Sequence, residues 1–287
     1  MSIQRGPTAT LPTFTRQAGS SGREFAFTRE DFERIRKLIH KHVGIALSAA
    51  KQDMVYSRLT RRLRACGETS FADYLARIER DRAEWEVFVN SLTTNLTSFF
   101  REAHHFELLA AQLRSIGSAR TSQIWCCAAS TGEEPYSLAI TACETFRTLN
   151  PPVSILASDV NTEVLAFARR GVFDSSRVDK MTPSRLAQYF VREPDGRYRI
   201  RPEVQRLVTF RQINLLDAHW GVGGGLDAIF CRNVMIYFDK ETQDAILKRF
   251  APLLAADGAL YAGHSESFQH ASSLFRLVGR TVYKPVR

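Results

Sequence analysis

Two adjacent carboxylates, Glu133 and Glu134, stand in a tight turn of small residues, Ala128-Ala129-Ser130-Thr131-Gly132, just after the apolar run Ile124-Trp125-Cys126-Cys127. Pro135-Tyr136-Ser137 and then Leu138-Ala139-Ile140-Thr141-Ala142 follow, so the pattern is strand, turn, helix. In an α/β sheet, the turn after the first strand is where a nucleotide-like cofactor meets backbone. A phosphate binder would carry free backbone amides and a Lys at this place. Carboxylates repel phosphate, so the chemistry expected is that of a nucleoside without one. S-adenosylmethionine, with its sulfonium cation and amino-acid tail, meets that demand.

The tips of later strands carry further candidates. Asp159 ends Ile155-Leu156-Ala157-Ser158 and can bond both hydroxyls of a ribose. It is also suited to cap a helix starting near Thr162. Asn214 and Leu215 follow a third strand and can read an adenine edge and pack on its ring, although Asn is also ordinary turn chemistry there. The fourth strand, Leu226–Cys231, ends in Arg232-Asn233, with Tyr237 just beyond; Tyr237 reads equally as a core residue. The junction Thr93-Thr94-Asn95-Leu96-Thr97-Ser98-Phe99-Phe100-Arg101-Glu102 mixes hydroxyls, an amide and one Arg at the interdomain cleft that the two-domain reading predicts. Arg101 has the planar fork to grip a carboxylate, and isolated it would read as a surface Arg. His104-His105 are adjacent and do not share a helix face, which favours packing over metal binding. His264 lacks a Gly-x-Ser-x-Gly elbow and receives no role.

These residues need a scaffold of two kinds. The chain has 287 residues, 44% hydrophobic and 24% charged, enough for one large or two modest domains. Residues 1–24, rich in Gly, Ser, Thr, Pro and Arg, read as a disordered leader. Thr28 with Asp31 forms a capping-box signal for a first helix that ends at Gly44. Helices near Ala49–Cys66, Phe71–Arg80 and Ala83–Leu92 complete an all-α N-terminal domain over residues 25–92. Residues 93–101 form a linker that contributes to the site. From 102 to 287 strands alternate with helices, which predicts a doubly wound, mostly parallel α/β sheet. The strands expected are Ile124–Cys127, Val153–Ala157, Leu207–Phe210, Ala228–Cys231 and Ala259–Ala262, with Thr281–Lys284 as a late edge strand. Residues 173–211 are too long for a plain connection and carry a Pro194-Asp195-Gly196 hairpin signal, hence a small antiparallel β-subdomain.

Composition narrows the class. The net charge of +9 favours acidic partners, whether nucleic acid, anionic lipid or acidic protein. No apolar run is long enough to span a bilayer, and the N-terminus lacks a signal core. Five cysteines without CxxC spacing argue against zinc and against a disulfide framework, so a cytoplasmic protein without a metal is expected.

Taken together, Thr-Asn-Leu-Thr-Ser-Phe-Phe-Arg-Glu (94–102), Ala-Ala-Ser-Thr-Gly-Glu-Glu-Pro-Tyr-Ser (128–137), Ala-Ser-Asp (157–159) and Phe-Cys-Arg-Asn-Val-Met-Ile-Tyr-Phe-Asp (230–239) resemble the CheR family of chemotaxis receptor methyltransferases. The motifs come in the family's order, and the resemblance covers residues from about 27 to 284. It implies a helical domain on an S-adenosylmethionine-dependent methyltransferase domain. It further implies cofactor contacts at Asn95, Thr97, Arg101, Glu134, Asp159, Asn214, Leu215, Arg232 and Asn233. The implied reaction is protein-glutamate O-methylation on the cytoplasmic helices of methyl-accepting chemoreceptors, with S-adenosylhomocysteine as product and adaptation in chemotaxis as its purpose. Arg101 and Tyr237 are then the candidates for orienting the substrate carboxylate. The arginine-rich helix surface of Arg58, Arg61, Arg62 and Arg64 becomes a candidate docking face for acidic receptor helices, which would recruit the enzyme to membrane receptor arrays without inserting it. Its bland alternative is a solvated helix face.

Family members that bind a C-terminal receptor pentapeptide do so with the β-subdomain. Here the hairpin around Glu193–Arg197 is shorter than in those members, so no tight pentapeptide binding is expected. A nucleic-acid methyltransferase is the alternative suggested by the basic charge. Base methylation, however, commonly uses Asn/Asp-Pro-Pro-Tyr/Phe where this chain has Arg232-Asn233-Val234-Met235.

Overall fold

The Thr28–Asp31 pair forms the reciprocal capping box its spacing implies, and helix α1 (Arg29–Val43) ends at Gly44. Helices α2 (Gln52–Cys66), α3 (Phe71–Ile78) and α4 (Arg82–Leu92) pack with it around Phe32, Ile35, Leu59, Tyr74 and Phe88. The computed structural model describes residues 23–287. The leader expected over residues 1–24 therefore lies outside the described residues except for its last two. Arg23 and Glu24 are docked on α2 by ion pairs with Asp53 and Arg64, which corrects the expectation there.

Helix α5 (His104–Ile116) leads into β1 (Ser122–Cys126), α6 (Glu133–Phe146), β2 (Val153–Asp159) and α7 (Thr162–Arg170). A small three-stranded antiparallel sheet follows, built from β3 (Val172–Phe173), β4 (Phe190–Arg192) and β5 (Tyr198–Ile200) in the order β3-β5-β4. Between and after its strands come α8 (Ser175–Val178), α9 (Pro183–Tyr189) and α10 (Pro202–Gln205). The main sheet resumes with β6 (Val208–Gln212), β7 (Leu226–Cys231), α11 (Lys240–Phe250), β8 (Leu254–Ala262), β9 (Phe275–Gly279) and β10 (Val282–Pro285).

The seven-stranded sheet has the order β6-β2-β1-β7-β8-β10-β9; its first five strands are parallel and β10 runs antiparallel to both neighbours. Alternate residues of β1 enter opposite cores, as a sheet covered on both faces requires. Ile124 and Cys126 pack with Leu109 and Ile140, whereas Trp125 and Cys127 join the cluster of Trp220 and Phe250. The late strand near Thr281–Lys284 is not the sheet edge. It is flanked on its outer side by β9, whose Arg276–Gly279 are all exposed and so offer no buried periodicity to read.

The chain winds outward from β1 through β2 to β6 and then returns to β7 beside β1. That reversal opens a crevice beyond the carboxyl ends of β1 and β7. The helical unit covers it: the Ala46 amide donates to the Tyr237 carbonyl at 2.8 Å, and Asn161 Nδ2 donates to Thr93 Oγ1 at 2.7 Å.

Candidate functional site

A cavity of about 440 Å³ lies in this crevice. Its wall combines the strand tips (Ala128, Ser130, Asp159, Arg232, Asn233) with the junction (Asn95, Leu96, Thr97, Arg101) and the helical unit (Val43, Ile45 to Ser48, Lys51, Met54). The volume falls within the range of small-molecule sites.

The turn after β1 decides between its two carboxylates. Gly132 sits at φ +100°, where a Cβ would press on Ala168 at 3.0 Å, so α6 starts in close contact with α7. From that start Glu133 points into the protein, bonded to Thr131 Oγ1 at 2.6 Å and to Arg177. Glu134 lines the cavity instead. Its Oε2 accepts from Arg232 Nη1 at 2.6 Å, and Cys126 Sγ lies 3.4 Å from Oε1. Burial pushes the Glu134 carboxyl above its ordinary range, although the Arg232 charge opposes this.

Arg232 is a hub. Its side chain is fully buried, and Nη2 donates to the Arg101 carbonyl at 2.6 Å and lies 3.2 Å from Glu102. The guanidinium therefore stands behind the Glu134 carboxylate and ties it to the junction. Phe100 and Glu102 both have positive φ, at 52° and 59°. Such conformations persist only where the surroundings hold them. Here the Phe100 amide donates to Ser137 Oγ at 3.0 Å, and His264 Nδ1 lies 3.0 Å from Glu102 Oε1. Burial disfavours the charged form of Glu102, but His264 and Arg232 bring its pKa down to about 2. His105, pushed down to about 4 chiefly by burial, is neutral at pH 7 and bonds the Arg280 carbonyl, in keeping with a packing role.

Arg101 reaches the cavity with no carboxylate partner among the described residues; its Nη1 donates to the Leu96 carbonyl at 3.0 Å. Tyr237 and Thr97 also line the cavity. Asn95 does too, and its carbonyl accepts from Ser130 Oγ at 3.1 Å.

Asp159 takes the amides of Ser130 at 2.9 Å and Asn161 at 3.0 Å, while burial raises its pKa. It does not cap α7; Asn161 does, accepting from Glu163 and Val164.

Asn214 and Leu215 are not in the lining. The Asn214 amide donates to the His42 carbonyl at 2.6 Å and joins the two structural units, and Leu215 is buried in the core around Trp220. The helical unit thus holds the Asn214 side chain in this structure, beside the site rather than in its lining.

One buried carboxylate escaped the reading of the sequence. Glu266 accepts the amides of Asn233 (2.9 Å), Val234 (3.0 Å), Met235 (2.8 Å) and Gly263 (2.5 Å). It thereby pins the loop that presents Asn233 and Tyr237. Asn233 has φ +58° and rests directly on Gly263, where any Cβ would collide with its side chain and amide. The available signal was position: Gly263-His264-Ser265-Glu266 follows directly on a parallel strand.

The arginine surface of α2 is largely committed. Arg58 and Arg62, one turn apart, face α4: Arg58 Nη1 donates to the Thr93 carbonyl at 2.8 Å, and Arg62 clasps Glu84 with bonds of 3.0 and 2.7 Å. Arg64 pairs with Glu24. Only Arg61 of the four is exposed and without an ion pair among the described residues. Among the described residues there is also no cluster of three metal-ligating side chains, and no helix is long and apolar enough to cross a membrane.

Comparison with known proteins fits this architecture. A family model described as CheR methyltransferase, all-alpha domain, matches residues 30–93, and one described as CheR methyltransferase, SAM binding domain, matches residues 95–284. Chemotaxis protein methyltransferase 2 of Pseudomonas aeruginosa is 50% identical over 279 residues, covering 96% of this chain and 100% of that protein. The chemotaxis protein methyltransferase of Escherichia coli is 49% identical over 263 residues, covering 90% and 91% of the two chains. That of Klebsiella aerogenes is 47% identical over 283 residues, covering 96% and 97%. With the helical unit and the sheet unit matched in order, the chain belongs to the CheR methyltransferase family.

Proposed function

We infer that this protein transfers a methyl group from S-adenosylmethionine to glutamate side chains on chemoreceptor helices, yielding γ-methyl esters and S-adenosylhomocysteine. The observation that carries the reading is the gathering of Glu134, Asp159, Arg101 and Tyr237 in the lining of one cavity, in a chain with this family membership. The residues fit the cofactor. Glu134 suits an ammonium group, Asp159 a ribose diol, and Asn95, Thr97 and Asn233 complete the polar lining. When bound, the cofactor supplies an electrophilic methyl carbon on its sulfonium.

A glutamate side chain, with a pKa near about 4.3, is already ionised at neutral pH, so the chain needs no general base. What it supplies is orientation. Arg101 aims the incoming carboxylate, Tyr237 offers a hydrogen bond, and the helical unit excludes water from the cavity. Alignment of this kind is worth roughly 7–11 kcal/mol in favourable intramolecular reactions. An overly tight Arg101 grip would stabilise the reactant carboxylate, so its benefit lies in placement. Arg232 acts one step behind, as a positioning residue for Glu134 and the Arg101 backbone.

The site of action is the cytoplasmic face of receptor arrays, with Arg61 the docking cation on α2. The short Glu193–Arg197 turn argues against tight pentapeptide binding, which calorimetry with such a peptide would overturn at micromolar affinity. The reaction itself is tested with tritiated cofactor and a receptor cytoplasmic fragment. Base-labile methyl ester on the receptor is expected; label found only in nucleic acid, or in neither, would refute the assignment.

A further inference from the structure

We propose that Leu96 and Ile236 are apolar grips that seat the receptor helix over the cavity mouth by contact with the helix face that carries the methylated glutamate. This rests on the function inferred above and specifies its substrate. Leu96 is 80% exposed, more than any other large apolar side chain among the described residues, and Ile236 is 49% exposed; both line the cavity. Exposed apolar groups in the lining of one cavity mark a contact surface.

The backbone beneath both is held in place. Arg101 holds the Leu96 carbonyl at 3.0 Å. Glu266 holds the amides on one side of Ile236, and Ala46 donates to the Tyr237 carbonyl on the other at 2.8 Å.

Geometry identifies the occupant. A glutamate side chain is short, whereas a helix with its side chains is about 10–12 Å across. A helix that inserts one glutamate must therefore rest its own surface on the rim, and the residues three and four positions away share the glutamate's face. Lys51 and Arg101 in the same lining give the rim a positive charge suited to the acidic remainder of such a helix. An apolar–basic rim around a carboxylate-handling cavity matches an amphipathic acidic helix.

The test uses the full chain, a receptor cytoplasmic fragment and the variants Leu96→Ser, Ile236→Ser and their combination, with Leu96→Met and Ile236→Leu as conservative controls. We expect the double variant to raise the receptor KM at least about tenfold while cofactor Kd, by calorimetry, stays within about twofold. The conservative controls should keep KM within about threefold of the parent. Replacing the receptor residue one turn from the glutamate by Asp should raise KM for the parent enzyme but add little in the double variant. An unchanged receptor KM overturns the proposal. So does weakened cofactor binding at unchanged receptor KM, which would make Leu96 a lid over the cofactor. A parent enzyme that binds no cofactor and labels no receptor instead overturns the underlying function, a result separable from both.

Discussion

Arg232 Nη1 donates to Glu134 Oε2 at 2.6 Å within the protein, so the carboxylate that lines the cavity has a buried cation directly behind it. The same guanidinium holds the Arg101 carbonyl at 2.6 Å. One side chain thus sets the distance between the wall expected to meet the cofactor and the junction expected to meet the substrate.

Removing that link should be costly. Arg232→Ala leaves Glu134 and Glu102 without their shared buried partner, and a loss of about 3–5 kcal/mol in stability is expected. Arg232→Lys keeps a charge but not the fork that bonds two acceptors at once, so cofactor affinity should still fall about tenfold. Urea unfolding and calorimetry measure the two effects; a Lys variant with parental affinity would remove the positioning role.

Glu266→Gln turns one acceptor into a donor facing backbone amides. The expected cost is about 2–3 kcal/mol of stability, together with reduced turnover as the Asn233–Tyr237 loop shifts. Parental stability and turnover in this variant would show that the four amides do not depend on the carboxylate's charge.

Arg101→Ala should lower turnover about a hundredfold while changing cofactor Kd only about threefold. Single-turnover kinetics with saturating cofactor separates the two quantities. Intact turnover with lost cofactor binding would move Arg101 from substrate to cofactor.

On α2, Arg61→Glu should slow receptor methylation in a manner that weakens with added salt, without affecting stability. Arg62→Ala should instead destabilise by about 3 kcal/mol, because Glu84, held below its ordinary pKa by Arg62 and Tyr74 against burial, would lose its cation. Methylation rates at two ionic strengths, read beside melting curves, distinguish docking from packing.

Stability should also depend on pH through Glu102. Burial works against its charge, yet His264 and Arg232 depress its folded pKa to about 2. A depressed carboxyl stabilises above its unfolded pKa, near about 4.3, and the contribution is lost as pH falls from there towards the folded value. We expect about 2 kcal/mol after discounting for solvent screening. The stability gap between the parent and Glu102→Gln should therefore narrow between about pH 4.5 and pH 2, which urea titrations across that range would reveal; a constant gap would contradict it.

What the sequence determined by itself is what short-range rules encode. The Thr28–Asp31 capping box, the apolar stripes of α1 and α2, the parallel strands and the strand tips bearing Asp159 and Arg232 all depend on neighbours a few residues away, and all appear where the spacing puts them. Tertiary structure decided which polar group faces which partner. Glu133 turned to Arg177 and Glu134 to the cavity because α6 starts at Gly132 against α7. Asn214 went to His42, Arg58 and Arg62 went to α4, and Glu266 gathered the amides of the β7 loop. Each choice pairs residues distant in sequence, or turns on a loop whose course only packing sets. A charge taken out of water must find its counterpart within a few ångströms, and only the folded chain brings that counterpart near.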